Sequence, residues 1–168
     1  FVPLFISWAA LEEFFKLGAA YATGLSSKAM DEPLDAVVYL ITAALGFAAL
    51  ENVFFLFDTL LHGSLLDSVI LGNYRFIGAS LLHVIASAAI GVSLAFSFYR
   101  PLITRILLPI IGILASIALH TLFNLFIIRS TEEYILIAFV FVWVAIIILL
   151  LIFERIKRIR KRPLLRTS

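Results

Sequence analysis

Three glutamates and two histidines lie inside long apolar runs of this chain: the adjacent pair Glu12 and Glu13, then Glu51, His83 and His120. These residue types do acid–base work or bind metals. A carboxylate at the centre of a membrane helix costs about 3 kcal/mol on insertion scales, so lipid-facing positions would not offset three of them. They are therefore expected to face one another or a wet cavity. Lys16 stands three residues after Glu13 and four after Glu12, within one arc of a helix. Ser116, His120 and Asn124 share a face at helical spacing, and so do Ser80, His83 and Ser87. Asn52 follows Glu51 directly.

The elements that must position these groups follow from composition. Of 168 residues, 63% are hydrophobic and 16 are phenylalanine; the mean hydropathy is +1.12, which takes the chain out of the soluble class. Tyr134 to Phe153 carries no charge, and at about 1.5 Å per residue its length matches the hydrocarbon thickness. Val2 to Leu25, Val37 to Phe57, Phe76 to Tyr99 and Ile106 to Ile128 are long enough as well but carry polar guests. The expected fold is all-α, a polytopic membrane helix bundle of about five transmembrane helices. Pro33 suits a helix start, and Thr131 suits the cap of the last helix, with Glu132 and Glu133 in its first turn. Leu65 to Leu71 is apolar but too short to span, and reads as an interfacial or re-entrant piece able to gate a site.

Residues 1–168 read as a single integral membrane domain with a basic tail over 154–168. Phe1 is not an initiator, so the domain is expected to be incomplete at its N-terminus. With no cysteine, disulfides, thiolate catalysis and cysteine-bound metals are excluded. A cytoplasmic C-terminus puts Lys28, Arg100, Arg105 and seven basic residues between Arg155 and Arg166 inside, against Arg75 and Arg129 outside, as the positive-inside rule requires. The tail reads as a topology anchor on anionic lipid; no element suited to reading nucleic acid accompanies it. In this orientation Glu12, Glu13, Glu51, His83 and His120 fall in one layer in the outer half of the bilayer. Ion pairing of Glu12 with Lys16, or histidines as interhelical glue, would explain each residue singly. Neither explains a depth shared by four helices. Small residues crowd the same stretches, from Ala43 to Ala49 and from Gly78 to Gly91, and would let the helices approach closely. The last segment has neither feature and is expected to be peripheral.

Glu12-Glu13-Phe14-Phe15-Lys16 resembles the EExxK motif of the PrsW family of intramembrane proteases, relatives of the CAAX-prenyl protease and bacteriocin-immunity superfamily. The resemblance continues through Asp31 to Tyr39, Gly46 to Phe54 with Glu51-Asn52, His83 with Gly91, and His120-Thr121-Leu122-Phe123-Asn124, which is similar to the superfamily's HxxxN/D. Lysine here stands one position earlier than the arginine of the superfamily's EExxxR, which favours the PrsW branch. The resemblance implies a multi-pass protein of a prokaryotic cell membrane that hydrolyses a peptide bond in a membrane protein substrate, such as an anti-sigma factor cut outside the cytoplasm.

That reaction needs an activated water, an oxyanion stabiliser and a proton donor for the leaving amine. The candidate catalytic residues are Glu12, Glu13, Glu51, His83 and His120, with Lys16, Asn52 and Asn124 in support. One of Glu12 and Glu13 is the candidate base while Lys16 holds the other; His83 or His120 polarises the carbonyl or protonates the amine, and an asparagine orients a ring or donates to the oxyanion. Zinc is the alternative, with Glu51, His83 and His120 as ligands and a second glutamate as base. Those ligands come from three segments without an HExxH, so no cofactor is favoured. A proton- or cation-coupled transporter would also hold Glu, His and Asn at mid-membrane, but no repeat is visible and Pro109 is the lone proline inside a long span. A catalytically inert binding or immunity protein is the other competing class.

Overall fold

The computed structural model describes the backbone of residues 2–62, 65–128 and 132–159, and the side chains of these except 65–76, 128 and 132–135. Among the described residues all regular structure is helical. Helix α1 (Val2–Ala20) runs into a π-helical turn (Tyr21–Leu25) and is followed by α2 (Pro33–His62), α3 (Leu65–Ser97), α4 (Leu102–Ile128) and α5 (Glu132–Ile156). Pro33–His62, Ile77–Ser97, Leu102–Ile127 and Leu136–Ile156 are long and apolar enough to cross a membrane. The remaining expected span, α1, carries Glu12, Glu13 and Lys16 at its middle.

Local chemistry sets the helix ends. Pro33 is the first residue of α2, and the Asp35 carboxylate accepts from the backbone N–H of Glu32 at 2.7 Å and of Asp31 at 3.1 Å, satisfying donors that have no partner within the helix. Past the end of α3, Arg105 donates to the Phe98 carbonyl at 2.8 Å, where a cation complements the helix dipole. Leu65 to Leu71 does not form a separate interfacial piece. It makes the first turns of α3, because the run continues into the next apolar stretch without a proline, and an interior Gly72 costs only about 1 kcal/mol. Its side-chain packing as a gate, and the Thr131 cap, lie outside the described residues.

α3 is the central element and touches all four other helices, most extensively α2 and then α4. Its small residues permit this. A Cβ on Gly91 would stand 2.7 Å from Cα of Val37 and 3.0 Å from the Ala36 carbonyl, so the α2 backbone lies directly against it. Ala44 and Ala48 on α2 and Ala86, Ala88 and Ala95 on α3 are buried, as close membrane packing requires. Apolar clusters tie the rest together: Leu82, Ile85, Phe123, Ala138 and Val142 join α3, α4 and α5, and Ala20, Leu40 and Ile90 join α1, α2 and α3. α5 contributes apolar core residues, but its described charged groups stay outside, Glu154 pairing with Lys157 at 2.7 Å.

Burial is inverted relative to a water-soluble bundle. Trp8, Phe14, Phe15, Phe54, Phe57, Leu102 and Leu151 are exposed, while Glu12, Glu13, Lys16, Ser87, His83 and His120 are buried. Charges inside and apolar groups outside is the arrangement a hydrocarbon solvent selects.

Candidate active site

The buried ionisable groups of α1 meet those of α3 and α4 at the bundle centre. Helical spacing puts Glu12, Glu13 and Lys16 on the face that α1 turns inward, and Glu13 is the most heavily bonded of them. Its Oε1 accepts from the Lys16 ammonium and from His120 Nδ1 at 2.8 Å; its Oε2 accepts from Ser87 Oγ at 3.0 Å. The lysine therefore pairs with Glu13 and not with Glu12.

His83 is held from both sides. Lys16 Nζ lies 3.0 Å from its Nδ1, and Glu51 Oε2 lies 2.7 Å from its Nε2. An ammonium can only donate, so Nδ1 is the acceptor and the ring proton sits on Nε2, which donates to Glu51. Phe47 packs edge-on against the same ring, with centroids 5.5 Å apart, and its own ring centroid is 5.2 Å from Lys16 Nζ. The two imidazoles pack edge to face at 5.1 Å.

Glu12 is different. Its Oε2 is buried without a hydrogen-bond partner, 3.5 Å from His120 Nε2 and 4.0 Å from His83 Nδ1. With its Nδ1 proton given to Glu13, a neutral His120 turns its Nε2 lone pair towards Glu12. Glu12, His83 and His120 each offer a ligand atom, all within 4.8 Å of one another. Two imidazoles and a carboxylate are the donor set of a catalytic zinc, and a carboxylate behind a ligating histidine is its usual support. The residues therefore fit a metal.

All five candidate catalytic residues come together with Lys16, but the converging ligand group contains Glu12 where the sequence suggested Glu51. Glu51 bonds to His83 from the more open side: its side chain is 30% exposed, against 10% for Glu12 and 0% for Glu13. Asn52 donates to Ser80 at 3.1 Å, bracing α2 on α3 one turn from His83. Asn124, half-buried one turn beyond His120, makes no hydrogen bond to the site among the described residues. Ser87 and Phe47 were not among the candidates. Ser87 had a signal, four residues after His83 on one helix face; Phe47 had none beyond the resemblance.

A family model described as "PrsW family intramembrane metalloprotease" matches residues 1–152. Among curated proteins, the chain is similar to "Protease PrsW" of Geobacillus kaustophilus (strain HTA426), with 44% identity over 52 residues covering 31% of this chain and 23% of that protein. The match thus spans less than a quarter of the curated relative's length. No solved structure matches the chain at a significant level. With residues 1–152 matched out of 168, this chain belongs to the PrsW family of intramembrane metalloproteases.

Proposed function

We propose that this chain carries the hydrolytic centre of a membrane-embedded peptidase that cuts a peptide bond in a membrane protein substrate, with Glu12, His83 and His120 as metal ligands. The observation that carries this reading is the partnerless, buried Glu12 Oε2 between two histidine nitrogens. A buried carboxylate oxygen without a donor costs several kcal/mol in a purely structural site, and a cation removes that cost. A bound divalent metal supplies Lewis acidity towards the scissile carbonyl and acidifies a coordinated water.

The roles of Glu12 and Glu51 are thereby exchanged relative to the sequence expectation. Glu51, the most accessible of the three carboxylates, takes the proton of the attacking water and returns it to the leaving amine. Glu13 holds His120 through Nδ1, fixing the direction of Nε2; Ser87 and Lys16 hold Glu13. Phe47 and the apolar bundle limit the water that reaches these groups.

The charge asymmetry of the loops favours a cytoplasmic C-terminus, which sets the site in the outer half of the bilayer, within reach of a bond near the outer face of a substrate such as an anti-sigma factor. The test is cleavage of a single-span reporter by the full-length protein in liposomes. Cleavage that stops with a strong chelator and returns with zinc supports the reading. Cleavage indifferent to chelation returns the assignment to a metal-free glutamate mechanism.

A further inference from the structure

Lys16 occupies the position from which a cation would contact His83. Its ammonium is almost fully buried and bridges Glu13 Oε1 and His83 Nδ1, the latter at 3.0 Å. Nδ1 is also the His83 nitrogen that stands 4.0 Å from the partnerless oxygen of Glu12. The other ring nitrogen carries the proton given to Glu51 at 2.7 Å. As arranged, neither nitrogen of His83 has a lone pair to offer, whereas a neutral His120 with its Nδ1 proton donated to Glu13 has one at Nε2. The ligand group is thus two-thirds open and closed at His83 by the chain's own cation.

We infer that Lys16 is a built-in competitor for the metal, holding the His83 Nδ1 lone pair that a divalent cation at Glu12, His83 and His120 takes. The inference rests on the metal reading proposed above and adds the device that regulates occupancy. When a metal enters, Lys16 gives up His83 and keeps Glu13, whose Oε1 it already contacts. The Phe47 ring, its centroid 5.2 Å from Nζ, offers the ammonium a second favourable contact there. Without metal, Lys16 reoccupies Nδ1 and keeps its pairing with the buried Glu13 carboxylate, so the empty site stays assembled. The ammonium lowers metal affinity and preserves the site's geometry between occupancies.

The experiment is zinc competition against a chromophoric chelator on the full-length protein in detergent, comparing wild type with Lys16→Met. Zinc is expected to bind Lys16→Met about tenfold more tightly or better, the scale on which groups behind metal ligands act. Because Lys16→Met leaves Glu13 buried without its cation and so threatens the fold, the comparison is repeated as Glu13→Gln against Glu13→Gln/Lys16→Met, where the same gain is expected. Nitrogen NMR on histidine-labelled, metal-free wild type gives an independent readout, since the chain has only 3 histidines. His83 is expected to carry its proton on Nε2 and to shift at Nδ1 when zinc is added. Equal or weaker zinc binding without the lysine, or a metal-free His83 protonated on Nδ1, overturns the inference while leaving the protease reading intact. Failure of every variant to bind zinc overturns both the inference and the metal assignment.

Discussion

His120 Nδ1 donates to Glu13 Oε1 across 2.8 Å, between residues 107 positions apart. The bond ties α4 to α1 and fixes which nitrogen of His120 faces Glu12. In the proposed site Glu13 is therefore a positioning residue, whereas Glu12 and Glu51 are the groups proposed to face the reacting atoms. The two neighbouring glutamates of the EExxK run are expected to do different work, because Glu13 accepts from Lys16, His120 and Ser87 whereas Oε2 of Glu12 has no hydrogen-bond partner.

Stability should separate the two glutamates. Glu13→Ala strips Lys16, His120 and Ser87 of a shared partner and leaves a buried ammonium, and should destabilise the fold by about 3–5 kcal/mol. Adding Lys16→Met should restore part of this. Glu12→Gln should leave the thermal unfolding midpoint in detergent near that of the wild type, since Lys16 does not pair with Glu12. A large loss of stability in Glu12→Gln would mean that the pairing is misassigned.

Packing at Gly91 gives a second expectation. A methyl group there meets the α2 backbone at 2.7 Å, and backbone cannot swing aside as a side chain can. Gly91→Ala should cost about 1–3 kcal/mol and shift α2, carrying Glu51 away from His83. Unfolding in detergent, together with cleavage rate, checks this; an unaffected variant would show that α2 and α3 are not in backbone contact.

Asn52 and Glu51 are neighbours with different expected phenotypes. Asn52→Ala removes one interhelical hydrogen bond to Ser80, worth about 0.6 kcal/mol in a membrane, and should slow cleavage only slightly. Glu51→Gln keeps the shape but cannot take a proton, and should lower kcat by about 100-fold or more with little change in KM. Steady-state kinetics on the two variants decides. Similar rates for both would remove Glu51 from the base role.

Much of this organisation was legible in the sequence because a membrane makes charge expensive. Glu12, Glu13, Lys16, Glu51, His83 and His120 stood out as costs in apolar runs, and helical spacing alone put Ser87 beside His83. The choice of partner for Lys16 was not legible: positions three and four residues away are equally reachable on a helix, and His120 and Ser87, from two other helices, decide for Glu13. Nor was the grouping of Glu12, in place of Glu51, with His83 and His120, which depends on how α1 and α2 are turned about their axes. The start of α3 was missed because Leu65 to Leu71 is too short to span by itself, and its continuity with the next segment has no local signature. Asn124 met the helical spacing but makes no hydrogen bond to the site among the described residues.

The central claim is that Glu12 completes a functional group with His83 and His120 and is not a structural charge. The most direct measurement is the initial rate at which full-length Glu12→Gln cleaves a single-span reporter in liposomes, beside its unfolding midpoint. A rate about 100-fold or more below wild type with an unchanged midpoint is the predicted result. A rate within a few-fold of wild type in a fully folded variant would contradict it.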